Sequence, residues 1–453
     1  MPWNRLRNNA GGIYIFLQAA WALFWALAFT LSLVFQVDVA HLSPMQLVLV
    51  GTVLEATCFI AEIPTGIVAD LYSRRASIII GLAILGVGIS VVGVFPSFWP
   101  IVVAQVVWGV GYTFVSGSSE AWVTDELGEE NVQAVFTRGH QLALLFNIVG
   151  ILAAGAVALL TGSMRWSIII GGAGFVAMAL LMIFIMPETG FQATPKDERE
   201  SFAHMADIAR TGLNAARKPG VVRSFLLIGL LTGLTSEVFD RLWVDRLARD
   251  LTLPPWFGAN SLTVWFTVIA LISSAVGLVA SVAANKLAPK AMTAEHPTRV
   301  MALLSFFQVL GVVVFALAGN AWIALVGRWA RAAATSIGTP VRRAWLNRHV
   351  DSKARATTGS MMSQADALGQ VVGGPVLGAL AGIAGIPVAL LAASAVQLPT
   401  VANYLRLKPN ATEKATDAVE VETSGAETPG DDLTDSLSGR DSEHPTIDPL
   451  RQE

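Results

Sequence analysis

Twelve apolar blocks, each near the length of a membrane-crossing helix, fill residues 13–406. They fall at about 13–36, 45–69, 76–95, 98–120, 138–161, 165–186, 223–244, 260–287, 298–318, 320–341, 357–384 and 386–406. An α-helix rises 1.5 Å per residue, so roughly 20 residues cross about 30 Å of hydrocarbon. Composition points the same way: 54% of the residues are hydrophobic and only 14% are charged, against about 25% charged in soluble proteins. Mean hydropathy is +0.59. The expected fold class is therefore all-α integral membrane with twelve transmembrane helices. The first block is too long for a signal peptide and lacks a cleavage pattern, so it reads as the first of the twelve.

Basic residues set the expected orientation. Arg5, Arg7, Arg74, Arg75, Lys286, Lys290 and Arg299 fall on one side, joined by Arg342, Arg343, Arg348, Lys353 and Arg355. The opposite connections at 38–41, 96–100 and around Asn320 carry no Lys or Arg, with Arg165, Arg246 and Arg249 as exceptions. Both termini are expected on the cytoplasmic side of the cell membrane. The lone cysteine, Cys58, lies inside a block and excludes an internal disulfide; it reads as apolar filler.

The second and third blocks are joined by GIVADLYSRR at 66–75, with the pattern Gly66-x-x-x-Asp70-x-x-x-Arg74-Arg75. Gly66 offers a small residue where two helix backbones approach. An acid and two bases beside a membrane are costly unless they pair or reach water. This decapeptide resembles the loop between helices two and three of the major facilitator superfamily. Shifting the chain by 223 residues strengthens the resemblance: Gln141 meets Gln364, Leu145 meets Leu368, Gly150 meets Gly373 and Gly155 meets Gly378. The same offset lays Ala121-Trp122 on Ala344-Trp345. Two parallel six-helix halves are the build that the resemblance implies.

The expected divisions are residues 1–186 for the first half, 187–222 for a linker, 223–408 for the second half and 409–453 for a tail. The linker opens on Pro187-Glu188-Thr189 and holds an amphipathic pattern (Phe202, Met205, Ala206, Ala209 and Leu213) that suits a helix lying on the cytoplasmic surface. The tail is acidic and rich in Thr, Ser, Pro and Gly, a composition that buries no core and stays disordered.

GGPVLG at 373–378, containing Gly373, Gly374, Pro375 and Gly378, looks like the Gly-Pro element of drug:proton antiporters. In those proteins it stands in helix five; here it stands in the eleventh block, while its repeat mate GILAAG at 150–155 has no proline. LEATCFIAEIPTG, SGSSEAW and TSEVFDRLW look like the macrolide and tetracycline efflux branch.

Ionisable residues at membrane depth mark the candidate chemistry. Glu55 lies about 15 Å into the second block, near the midplane. Glu62 follows seven residues later on the same face as Thr52 and Phe59. Each reads either as a proton-binding carboxyl or as a carboxyl fixed between helices. Glu237 and Arg241 in the seventh block are four apart and can pair. Asp240 points elsewhere. Arg328, with Arg331 in the tenth block, comes out at the depth of Glu237, so a Glu237–Arg328 contact is expected, as a working charge pair or as a static one. Shifted by 223, Arg328 falls on Gln105, where the resemblance implies a helix-four arginine. Glu55, Glu62, Glu237 and Asp240 are thus the proton-coupling candidates. Arg328, Gln105, Trp25 and Trp108 are the cavity candidates, although Trp21, Phe24, Trp25 and Trp108 are equally explained by helix packing. Trp243 fits an interface belt.

The resemblance also implies a cytoplasmic latch made of Gly66, Asp70, Arg74 and Arg75. Asp70 would face the start of helix eleven. Arg74 would meet Asp125, or else Glu126, at the end of helix four. Asp366 is a further polar contact across the halves or a structural one, and His140 stands at the mouth of helix five. There is no GxxxxGK[ST] phosphate loop, HExxH or paired CxxC, and no nucleic-acid feature. The expectation is a monomeric, non-enzymatic secondary transporter that needs no cofactor or metal. Its partners are protons as coupling ion, the lipid bilayer and a small-molecule substrate, and it exports amphipathic cationic or zwitterionic compounds. A same-fold facilitator of one nutrient or metabolite, and a membrane scaffold or sensor, are the alternatives.

Overall fold

The computed structural model describes residues 9–193, 221–251, 253–293, 297–349 and 352–407. They form helices joined by short connections, numbered here in chain order. α1 runs Ala10–Phe29 and continues, after a break at 30–31, as Ser32–Asp38. α2 is Pro44–Leu71, α3 Arg74–Val94, and α4 Phe98–Ser116 continued by Ser118–Leu127. α5 is Glu129–Thr161 and α6 Arg165–Ile185. α7 is Val221–Asp245, extended by a π-helical turn at Arg246–Asp250. α8 is Ser261–Thr293, α9 Pro297–Leu317, α10 Ala321–His349, α11 Ser352–Ala384, and α12 Ile386–Gln397 continued by Pro399–Arg406.

Local sequence explains the ends. α2 begins on a capping box in which Ser43 and Gln46 each satisfy the other's backbone N–H, with Pro44 in the first helical position. Ser73 accepts the Ala76 N–H and starts α3. Among the described residues, ten helices are long and apolar enough to cross a bilayer. α7 and α10 fall short of that measure because of the ionisable side chains they carry. Intramembrane charges of this kind usually face a bundle interior or a wet cavity.

Packing repeats between the halves. α1 lies on α5 as α7 lies on α11, and α3 packs on α4 and α6 as α9 packs on α10 and α12. The repeated tryptophans, Trp122 and Trp345, are each 1% exposed. Trp122 donates its indole N–H to the Pro187 carbonyl at 2.7 Å, and Trp345 stacks on Phe225 at 5.3 Å. The halves meet where α2 crosses α11 and α7, and where α5 crosses α8.

One end of the bundle, where loop 39–43 lies, is drawn together across the halves. Arg249 of the π turn donates to the carbonyls of Val37 and Leu42 at 2.7 and 3.2 Å. Its Nε lies 3.1 Å from Asp245 Oδ1. Charge-assisted bonds of this kind contribute about 1.5–3 kcal/mol, less where solvent screens them. Arg249→Ala is expected to speed hydrogen exchange in residues 37–43 without changing exchange in α9; equal protection in both proteins would remove Arg249 from the closure.

At the other end, where residues 72–73 turn, the contacts among the described residues of this turn lie within the first half. Arg74 pairs with Asp125 and donates to the Ala121 carbonyl. Its distance to Asp70 is 3.8 Å. Glu188 accepts the Ser73 hydroxyl at 2.6 Å and the Arg75 N–H at 2.9 Å, placing an anion at the start of α3. The Arg75 side chain donates to the Ile183 carbonyl, and Glu126 accepts from Thr189 and Gly190. Glu188→Ala is expected to lower the melting temperature of the purified protein by the equivalent of about 1–2 kcal/mol, and Glu188→Gln by less. An unchanged melting temperature for Glu188→Ala would contradict this.

Two expectations change here. Gly66 sits inside the last turns of α2, and the chain reverses at Tyr72 and Ser73 instead. Trp243 is no belt residue: it packs 5.7 Å from Phe266, under the Arg328 guanidinium. Arg75 is held by its own half. The side chains at the start of α11 that would face Asp70, the amphipathic pattern at 202–213 and the tail beyond 407 all lie outside the described residues.

Candidate functional site: an acid-lined cavity between the halves

A cavity of about 930 Å3 opens between the halves, away from the end drawn together by Arg249. From the first half, α2 alone lines it, with Glu55, Cys58, Phe59, Glu62 and Ile63. The second half supplies α7, α9, α10, α11 and α12. Among the described residues, five acids face it (Glu55, Glu62, Glu237, Asp240 and Asp366) against two bases, Arg331 and Arg342. Thr232, Thr235, Ser236, Gln308, Gln364 and Gln370 add neutral polar groups, while Phe59 is the one aromatic ring in the lining.

The i, i+7 spacing on α2 puts Glu55 and Glu62 on one wall, as the sequence suggests. Glu55 faces the like charges of Glu237 and Asp366 and the opposite charge of Arg241. No hydrogen bond or ion pair reaches its carboxylate among the described residues. The other acids are engaged. Glu237 accepts from Arg241 Nε at 2.7 Å, Asp240 from Arg331 Nη1 at 3.1 Å, and Asp366 from Gln370 Nε2 at 2.9 Å.

Outside the lining, α11 packs against its neighbours through small residues. A Cβ on Gly374 would come 2.5 Å from Thr52 Oγ1, and one on Gly378 would come 3.0 Å from Val48 Cβ. Gly373 lies against the α7 backbone, where a Cβ would meet Leu234 Cα at 2.6 Å. The Gly-Pro element is thus the place where α11 presses on α2 and α7 together.

Several expected site residues lie elsewhere. Glu237 does not meet Arg328. The i, i+4 partner Arg241 is nearer, and Arg328 turns away to donate to Ser273 on α8 at 2.7 Å, with its Cζ 4.0 Å from the Trp243 ring centre. Arg331 takes the place expected for Arg328, pairing with an Asp240 that faces the cavity after all. One helical turn separates the two arginines, and counting depth along α10 could not choose between them. Trp25 and Trp108 are not in the cavity. They form an aromatic stack inside the first half with Phe29, Trp21 and Tyr112. Gln105 accepts the Trp108 indole N–H at 3.0 Å. It lines a separate cavity of about 60 Å3 into which Arg241 reaches from the second half. Sequence reasoning missed Arg342 as a lining residue and Arg241 as a group shared between halves. The signal for Arg342 was its place at the end of a charged α10. His140 is exposed and away from the lining.

The profile of the Major Facilitator Superfamily matches residues 11–294. The chain belongs to the Major Facilitator Superfamily. Solved structures of several members superpose on it. The nucleoside transporter NupG does so at 14% identity, covering 88% of this chain and 100% of that one, with a TM-score of 0.70. A POT family transporter in complex with 5-aminolevulinic acid does so at 12% identity, covering 87% and 95%, with a TM-score of 0.66. A bacterial homologue of the human lysosomal transporter Spinster, inward-facing and occupied, does so at 14% identity, covering 89% and 97%, with a TM-score of 0.61. At such identities the likeness establishes the major facilitator fold and nothing about substrate. In sequence, the uncharacterized MFS-type transporter YxaM of Bacillus subtilis (strain 168) is 29% identical over 111 residues, 24% of this chain. The match spans 28% of that protein's length. Fold and family make this chain a multi-pass membrane protein of a transporter superfamily.

Proposed function

We propose that this chain is a proton-coupled exporter of cationic, amphipathic compounds, drug-like molecules among them. It works by alternating access as a monomer in the cell membrane, with both termini cytoplasmic. The observation that carries the reading is the excess of acids among the described residues of the cavity, with Glu55 left there without a hydrogen bond or ion pair. A cation entering there finds negative charge already desolvated, and a carboxyl facing both solvent and substrate can exchange one for a proton. In this structure the cavity opens away from loop 39–43, toward the side expected to be cytoplasmic, where an exporter loads.

Accumulation of ethidium and tetracycline in drug-sensitive cells, with and without a protonophore, tests the proposal. Lower accumulation that the protonophore reverses supports it. Equal accumulation with the protein present in the membrane removes it. In that case a second reading, a carrier of one small polar metabolite, takes its place, and a specific observation favours it: the aromatic rings stack inside the first half, so the lining is rich in Thr, Ser and Gln instead.

The turn at 70–75 serves, in this reading, as the cytoplasmic latch of the cycle. Asp70→Asn is expected to slow turnover several-fold while leaving the half-saturating substrate concentration unchanged in proteoliposomes. A turnover number equal to that of the parent would exclude the latch.

A further inference from the structure

Arg241 belongs to α7, yet its guanidinium reaches a small cavity walled by the first half. Phe29, Ser32 and Gln36 of α1 and Gln105 and Trp108 of α4 surround it. Its Nε is taken by Glu237 at 2.7 Å, leaving the Nη groups to that cavity. Glu237 is 5% exposed and Gln36 is 4% exposed, and the Gln36 Oε1 has no hydrogen-bond partner. Beneath the pair lies Gly51 of α2, where a Cβ would come 2.6 Å from the Glu237 carboxyl carbon. An ion pair of one half thus rests on bare backbone of the other and reaches a largely apolar socket that carries Ser32, Gln36 and Gln105 as its polar groups.

We propose that Glu237 and Arg241 form a charge-neutral plug that holds the loop 39–43 end of the transporter shut, with Arg241 as the positioning residue. The proposal stands on the geometry between the halves, not on which compound is moved. Docked, each charge is compensated by the other in a site with little water. Remove one charge and the other is left unpaired in the slot, which is far costlier than removing both. Moving the halves apart at this end then wets the stranded charge and becomes favourable. Glu237 also lines the large cavity, so a cation that takes its charge there releases Arg241 from the socket. The other charges lining that cavity, among the described residues, are Asp240 on the same helix, Glu55 and Glu62 on α2, Arg331 and Arg342 on α10 and Asp366 on α11.

The test uses the purified full chain with Cys58→Ser. Nitroxide labels sit at Val39 and Trp256 for the plugged end and at Tyr72 and Arg343 for the other, read by pulsed electron spin resonance. Glu237→Gln and Arg241→Gln are each expected to shift the main Val39–Trp256 population to longer distance and the Tyr72–Arg343 population to shorter. The double variant should return both distributions toward the parent. Gly51→Ala keeps both charges but sets a methyl group where the Glu237 carboxyl lies, and should shift the distributions as the single variants do. It decides the matter if a single variant does not fold. Unshifted distributions in the single variants and in Gly51→Ala would overturn the plug. A double variant shifted as far as the single ones would also overturn it, because packing without charge compensation would then be the cause.

Discussion

Glu55→Gln abolishes proton-driven transport and leaves the protein folded, in the result we expect first. The glutamine keeps the size of the side chain and its place on α2 but cannot take up or release a proton. Because no hydrogen bond or ion pair holds the carboxylate among the described residues, the change breaks no local structure. Glu237, Asp240 and Asp366 offer no substitute, since each already accepts from a neighbour. The measurement is substrate movement in proteoliposomes under an imposed pH gradient, beside substrate exchange at equal pH on both sides. Gradient-driven movement should fall to background while exchange persists. Full gradient-driven activity in Glu55→Gln would remove Glu55 from the coupling and turn attention to Glu62. Loss of both modes would assign Glu55 to substrate binding.

The second large effect falls on folding. Gly373→Ala puts a methyl carbon 2.6 Å from the Cα of Leu234, and backbone cannot retreat as a side-chain tip can. α11 must then lift from α7 along a face where Gly229, Gly233 and Gly369 also press on the backbone of the facing helix. Overpacking in a close-packed interior costs about 1–3 kcal/mol, and helix association in a bilayer depends on such close approach. The expected outcome is a sharp loss of monodisperse protein in detergent and a lower melting temperature. Gly277→Ala is the matched control: it lies on α8, and a Cβ there meets nothing within 4 Å. Equal yields and melting temperatures for the two variants would show that the α7–α11 contact is more yielding than its geometry indicates.

The fold was readable because the bilayer imposes a length on each span. Twelve blocks of about 20 apolar residues allow few architectures, and a single offset of 223 laid Trp122 on Trp345, which the structure buries alike. α7 and α10 illustrate the limit of that reading. They read as spans in the sequence, yet Glu237, Asp240, Arg328 and Arg331, which dilute their hydropathy, face the cavity or bind across helices. The pairing Arg74–Asp125 followed from the resemblance, which implies an arginine at the start of helix three against an acid at the end of helix four.

The candidate site was legible only in part. Glu55 and Glu62 stood out because an acid within an apolar run is costly and a spacing of seven keeps one helix face. Which arginine meets which acid did not follow. Arg328 and Arg331 are within a turn of each other, and helix rotation alone decides that Arg331 faces Asp240 while Arg328 goes to Ser273 and Trp243. Trp25 and Trp108 are as apolar on the wall of a cavity as in a stack, so their type carried no choice.

The sequence by itself determined the solvent, the number of the helices and the repeat, because each follows from composition and spacing along one chain. Tertiary structure decided the partners. Arg241 sits in a socket of the other half, Gly51 makes room for its ion pair, and Arg249 ties loop 39–43 to α7. These contacts join residues about 200 positions apart, and their energies depend on angles and separations of a few ångströms, which a linear pattern does not encode.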